Sequence, residues 1–330
     1  MKNIFLAISS DSRELYKADI YKILAKPIDA IEHFRYQKKW ISNDKECKDI
    51  KTLKNKEVIL IFKHIEKDKD SIYIPIRKAT IIDFFYDSET EIYHYYFKLG
   101  EFCKIESSLT YDDNIFFLKQ DNVEFSTDTW KNKIEEIKTY FSDNFFYKID
   151  GVDDSKGCKI KLNHDKVNHS YYYKFRHGKS YTLNMSVSNL NNSENTLGIR
   201  ASSSDINIVL TDKYYISVPF DKLKIPITTK SLDTFKEKSF ISFYINNKSD
   251  MVIKEYENHI HILKKMGFFK PLYFGILSSI LIACTWLIKD KTDNIENIFC
   301  FNCKFDFLPL IYIILIFITS GFLYALFNKK

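Results

Sequence analysis

The chain has 330 residues, of which 45% are hydrophobic, 28% charged and 16% aromatic, and its formal net charge is +6. That length suits about two domains with real cores. Only 8 glycines occur, none spaced as a G-x-G-x-x-G or Walker-type loop, which argues against the common dinucleotide-binding and P-loop enzymes.

At the N-terminus Met1-Lys2-Asn3 precedes only IFLAI, too short for the apolar core of a signal peptide. Short runs rich in β-branched and aromatic residues follow at 57–65, 71–77, 79–86, 91–99 and 114–119, broken by polar clusters. Residues 1–127 are therefore expected to form one β-rich domain, a small barrel or sandwich. In 129–143 the period changes, with Trp130, Ile134, Ile137 and Phe141 on one helical face and Asp128 as its expected N-cap. The segment 128–154 is thus expected to be a bridging helix and loop.

From 155 to 250 about seven short strands alternate with Asn, Ser, Asp and Lys turns, the rhythm of an immunoglobulin-like sandwich without its Cys–Trp–Cys core. Residues 251–266 read as a helix, with Ile253, Tyr256, Ile260 and Leu263 on one side, inside a juxtamembrane segment 251–270. Two stretches, 271–288 and 307–327, contain no charge. Their 18 and 21 residues approach the length an α-helix needs to cross a bilayer. The expected fold class is mainly β: two cytoplasmic β-rich domains followed by a C-terminal two-helix transmembrane hairpin with an external loop at 289–306.

Lysines at 264, 265, 270, 329 and 330 flank the outer ends of that hairpin, and the positive-inside rule then puts both termini in the cytoplasm, at an inner membrane. Cys47, Cys103 and Cys158 are scattered singly, as reduced thiols would be. Cys300 and Cys303 form a C-x-x-C in the expected external loop, open to a disulfide, half a metal site or two free thiols. Gly275, Ser279 and Ala283 in the first stretch, and Gly321 and Ala325 in the second, repeat at four-residue spacing, which suits close helix packing. Ser278, Thr285, Thr319 and Ser320 would supply a wettable lining if several chains enclosed a pore.

The eight histidines make no H-E-x-x-H spacing and there is no G-x-S-x-G elbow, so neither an enzyme, a metal nor a cofactor is expected. Two segments interleave basic and aromatic residues. The first is 33–40, HFRYQKKW, followed later by Arg77, and the second is 171–179, YYYKFRHGK. With only five arginines in the chain, each is a candidate for bidentate phosphate contacts. The expected ligand set is Arg35, Lys38, Lys39, Arg77, Lys174 and Arg176 on phosphate, with Trp40 and Tyr173 stacking on bases. Strand alternation puts Arg35 with Gln37 and Lys39, and Phe34, Tyr36, Lys38 and Trp40 opposite.

In its order of parts over the whole chain, this layout resembles the two-helix membrane effectors of bacterial nucleotide-signalled anti-phage defence, of the cyclic-oligonucleotide or Hailong type. In the cyclic-oligonucleotide class the membrane helices come first, whereas the charge-free stretches here come last. The resemblance implies a homo-oligomer, tetrameric or larger, whose permeabilisation of the lipid bilayer is gated by a nucleotide or short single-stranded DNA bound by its β domains, with a nucleotidyltransferase as possible partner. The alternative expectation is a tethered binding or scaffold protein, with the hairpin as a passive anchor.

Overall fold

Strand β1 (Lys2–Ser10) leads through a polar loop into helix α1 (Glu14–Ala25), whose Ile20, Ile23 and Leu24 are buried at helical spacing. Then come β2 (Ile31–Gln37), the single-turn α2 (Ile50–Leu53), β3 (Glu57–His64), β4 (Ile72–Asp87), β5 (Ile92–Ile105), β6 (Phe117–Val123) and β7 (Phe125–Thr127). The structure is a computed structural model and describes residues 2–66, 70–141, 145–189, 197–205, 208–210, 213–216, 220–230, 238–246, 252–265, 275 and 279.

These strands form a sheet in the order β2-β5-β4-β3-β1-β6, with β7 added beside β5. The β1 and β3 strands run parallel, which requires the crossover that contains α1. The two apolar runs expected at 71–77 and 79–86 are one long strand, β4, interrupted in register rather than by a turn. Its pairing with β5 slips between Arg77 and Ala79 and again between Ile81 and Asp83. Such irregularities bend and twist a strand. The two ends of the sheet meet where Ile41 bridges Phe117, with the Phe116 amide donating to the Trp40 carbonyl at 2.7 Å and the Ser42 amide to the Phe117 carbonyl at 2.9 Å. One face of the sheet joins α1 in a core that includes Phe34, Phe62, Tyr95 and Phe117. On the other face Ile4, Leu6, Ile8, Ile59 and Ile61 form a second cluster.

Helix α3 (Trp130–Ile137) buries Trp130, Ile134 and Ile137, as its periodicity predicts. Its cap is Thr129 rather than Asp128: the Thr129 hydroxyl accepts the Asn132 amide at 3.2 Å. Asp128 instead pairs with buried Lys133 at 3.1 Å. A 3₁₀ turn at Lys138–Tyr140 follows the helix, and β8 (Phe145–Asp154) comes next, so part of the expected bridge at 128–154 is a strand. Beyond it run β9 (Leu162–Asp165), β10 (Ser170–Arg176), β11 (Ser180–Asn189), β12 (Leu197–Ser203), β13 (Ile208–Leu210), β14 (Lys213–Ile216), β15 (Phe220–Thr229), β16 (Lys238–Asn246) and β17 (Val252–Lys265). Two antiparallel sheets result, β14-β12-β16-β17-β10-β9 and β13-β15-β11-β8. Phe175 of the first stacks on Tyr181 of the second at 4.0 Å, and both belong to the same core as α1 and the N-terminal sheet. Met1–Lys264 is accordingly one compact unit, and Lys265–Lys330 a second.

The helix expected at 251–266 is strand β17. Ile260 and Ile262 are buried while His261 between them is exposed, and Ile241 and Ser239 of β16 lie opposite the two isoleucines. The helical stripe passed over Ile262, which alternates with Ile260 at a period of two, and pairing with the edge of β16 makes that the period the segment adopts.

The expected fold class needs a larger correction. The described chain is mainly β, in three sheets, and no helix among the described residues is long and apolar enough to cross a membrane. Freedom from charge over 18 to 21 residues marks a stretch as long and apolar enough to be a candidate span and establishes no more than that. Of the expected hairpin only Gly275 and Ser279 are described. The Ser279 hydroxyl donates to the Gly275 carbonyl at 2.7 Å, a bond four residues back along the chain that satisfies the serine locally. Ser278, Ala283, Thr285, Thr319, Ser320, Gly321, Ala325, Cys300 and Cys303 lie outside the described residues.

Candidate functional site

A cavity of about 290 Å³ opens beside the end of β1, the start of α1 and strand β2. It lies at the C-terminal end of a parallel strand pair, where the chain leaves the sheet. The end of β1 contributes Ile8, Ser9 and Ser10, and the loop that follows adds Ser12 and Arg13. The Ser9 hydroxyl donates to the Tyr16 carbonyl at 3.0 Å, and the hydroxyls of Ser10 and Ser12 share a hydrogen bond of 2.8 Å. Asp11, between them, ties the loop to β3 by accepting the Ile65 amide at 3.2 Å and by pairing with His64 at 2.5 Å.

The aromatic wall is built where the sheet closes. Past β2 the chain makes a 3₁₀ turn at Lys38–Trp40, so the alternation expected through residue 40 stops at Gln37. That turn carries Trp40 to Tyr16, edge to face at 6.2 Å, and to Phe116 at 5.8 Å. The Arg13 guanidinium lies 5.7 Å from the Tyr16 ring centre, and the Lys39 ammonium 5.6 Å from that of Trp40. Phe34 and Tyr36 close the inner side, the Tyr36 hydroxyl donating to the Ile8 carbonyl at 3.0 Å. Burial raises the Tyr36 phenol well above its ordinary range, so it stays a neutral donor.

Two charged side chains of opposite sign complete the lining, Arg35 from β2 and Asp19 from α1. Arg35 is exposed, while Asp19 is 7% exposed and has the Lys22 ammonium 3.6 Å away. Burial, followed by the charge of Glu32, pushes the Asp19 carboxyl up to about 7, against the smaller opposing pull of Lys22 and Arg35. Outside the cavity Arg35 shares the sheet's outer face with His33 and His94. These rings stack at 5.1 Å and share a hydrogen bond of 2.9 Å. Burial, then the neighbouring His94 and Arg35, lowers His33 to about 4; burial and Arg35 lower His94 too.

The residues expected to bind a ligand are therefore divided. Arg35 and Trp40 line one cavity, and Lys39 flanks it. Lys38 is exposed on the same turn without lining the cavity. Arg77 does not face solvent at all: it is 0% exposed and donates to the carbonyls of Ile23 (2.7 Å), Lys26 (2.9 Å) and Gly100 (2.9 Å), with Phe102 against its guanidinium. It ties the end of α1 to the sheet and cannot contact phosphate. Tyr173, 2% exposed, packs in the core and cannot stack on a base. Lys174 and Arg176 alternate outward on β10 and line no part of this cavity.

Sequence reasoning passed over Ser9, Ser10, Ser12, Tyr16 and Asp19, and reached Arg13 only as one of five scarce arginines. The missed signal was a strand, a serine-rich loop and then apolar residues at helical spacing, Ile20, Ile23 and Leu24, which place residues 9–13 at a strand-to-helix turn. Among the described residues no three His, Cys, Asp or Glu side chains converge as a metal ion would require. No family model and no curated protein matches this chain. Among solved structures, a FixG-related protein from Vibrio parahaemolyticus is similar over 35% of this chain and 98% of that one, at 13% identity with a TM-score of 0.21. A likeness that slight carries neither fold nor function.

Proposed function

We propose that this chain is a ligand-binding protein whose N-terminal cavity holds a small anion with an aromatic or heterocyclic part, a nucleotide being the class that fits best. The observation that supports it most is the convergence of Arg13, Arg35, three serine hydroxyls and the Tyr16–Trp40 pair on one cavity at the start of α1. Guanidinium groups and hydroxyls suit phosphate oxygens, and the positive end of a helix dipole adds to them. An aromatic wall gives a base its π-face. A volume of about 290 Å³ is at the small end of ligand sites and favours a mononucleotide or one unit of a longer chain.

The experiment is equilibrium binding of a panel comprising the nucleoside 5′-monophosphates, adenosine and guanosine 3′,5′-cyclic phosphates and the dinucleotide TpT. Arg13→Ala or Arg35→Ala removes a charge-assisted contact worth about 1.5–3 kcal/mol, so affinity should fall roughly tenfold or more in each. Trp40→Ala removes stacking worth about 1–3 kcal/mol. Wild type that binds no member, or variants that bind as well as wild type, would refute the reading.

The setting expected for such binding, control of an oligomeric inner-membrane effector in anti-phage defence, is supported by the sequence layout alone. Cell fractionation, the mass of the purified chain and phage plating on cells carrying Arg13→Ala test it separately from ligand binding.

A further inference from the structure

Among the aromatic, hydroxyl and cationic side chains that line the cavity there is one buried carboxyl, that of Asp19. Asp19 stands six residues beyond Arg13, about 9 Å along the axis of α1. An ionised carboxylate in the lining of the same cavity, itself only 7% exposed, opposes the anion that Arg13, Arg35 and the serines would receive. We infer that the cavity takes up its anionic ligand together with one proton, which resides on the Asp19 carboxyl and is donated to an acceptor atom of the ligand. This rests on the anion-binding reading above and names Asp19 as the residue that selects for an acceptor group at the inner end of the site.

The charged neighbours of Asp19 pull in two directions, and ligand binding weakens the side that favours ionisation. Glu32 on β2 repels a second negative charge, and it is engaged by Lys26 at 2.5 Å. Lys22 on α1 and Arg35 on β2 favour ionisation. Of these two, Arg35 lines the cavity, so a bound anion occupies the cation that helps the carboxylate. The Tyr36 hydroxyl is committed to the Ile8 carbonyl and offers Asp19 no proton. A ligand also displaces the remaining water and adds its own negative charge. Desolvation, loss of the Arg35 field and ligand charge all raise the carboxyl in the complex. Protonation of the free protein at neutral pH costs little, because burial and Glu32 already hold this carboxyl at about 7.

The sign follows from linkage. The carboxyl titrates higher in the complex than in the free protein, so affinity is full below about pH 7 and falls as pH rises towards the value in the complex. If only the protonated form binds, affinity drops about tenfold between about pH 6 and about pH 8, and about half a proton is taken up per ligand near pH 7.

The probes are the phosphodiesters of the panel, cyclic AMP, cyclic GMP and TpT, whose own charge is constant over that range. Titration calorimetry at about pH 7 in two buffers of different ionisation enthalpy measures the proton uptake directly, on wild-type protein alone. Asp19→Asn, which keeps the shape and stays neutral, should bind with pH-independent affinity and exceed wild type about tenfold at about pH 8. Binding with no proton uptake, or an Asp19→Asn protein that keeps the wild-type pH profile, overturns the inference and leaves the anion-binding reading standing. Failure of all three probes to bind wild type at any pH overturns the inference, and failure of the nucleoside monophosphates as well overturns the anion-binding reading with it.

Discussion

Replacing Arg77 with Met tests whether this arginine holds the fold, as its burial requires, or serves a ligand. Its guanidinium is fully buried and donates to three backbone carbonyls, those of Ile23 and Lys26 at the end of α1 and that of Gly100 on β5. A thioether of similar length keeps the contact with Phe102 and removes every donor. Each carbonyl left buried without a partner costs about 1–3 kcal/mol, so the gross loss is at least about 3 kcal/mol. Against this, methionine no longer carries a charge that had to be stripped of water, a relief that offsets part of the loss. The burial that lowers the Arg77 guanidinium to about 9 has the same origin. A net destabilisation of about 2–4 kcal/mol is expected, a large share of the usual 5–15 kcal/mol stability of a domain. Arg77→Lys should recover little of it, because one ammonium lacks the planar fork that reaches acceptors at the end of α1 and on β5 at once. Urea unfolding followed by circular dichroism measures the midpoint shift at constant slope. A loss below about 1 kcal/mol in Arg77→Met, or full stability in Arg77→Lys, would refute the assignment of this residue as a structural tie.

Thr129→Ala removes the side chain that caps α3 and should cost about 1 kcal/mol in the same assay, whereas Asp128→Asn leaves the cap in place. Asp113 is held at about 2 by hydrogen bonds from the buried Lys63 and from Tyr73. Its folded carboxyl is depressed, so its contribution is present above the unfolded value of about 4 and is lost as pH falls through about 2. Because this side chain is 66% exposed, Asp113→Asn should cost only about 1 kcal/mol at neutral pH, with the gap to wild type closing in acid unfolding titrations. Lys174→Ala and Arg176→Ala remove charges from β10 that line no part of the cavity, and affinity for any nucleotide that binds wild type should change less than about twofold at moderate salt.

Periodicity and composition alone determined that the chain is built of strands, and they located β3, β4, β5 and α3, because each carries its own apolar pattern and buries it locally. They also singled out Arg35 and Trp40, since basic residues alternating with aromatics are visible without any partner. Tertiary structure decided the rest. It turned 251–266 into β17, because a segment with both periods takes the one its neighbouring strand edge rewards. It withdrew Arg77 and Tyr173 from the surface, since their residue types suit a phosphate or a base as well as a carbonyl-lined core. The same physics bears on 271–288 and 307–327: absence of charge says what a segment avoids, and what it becomes depends on what surrounds it. The cavity itself needed the sheet to curl until Trp40 met Phe116. Only that closure brought Arg35, Trp40 and Phe116 to the serines, Arg13 and Asp19 of residues 9–19, a juxtaposition that long-range pairing sets and no local run of residues displays.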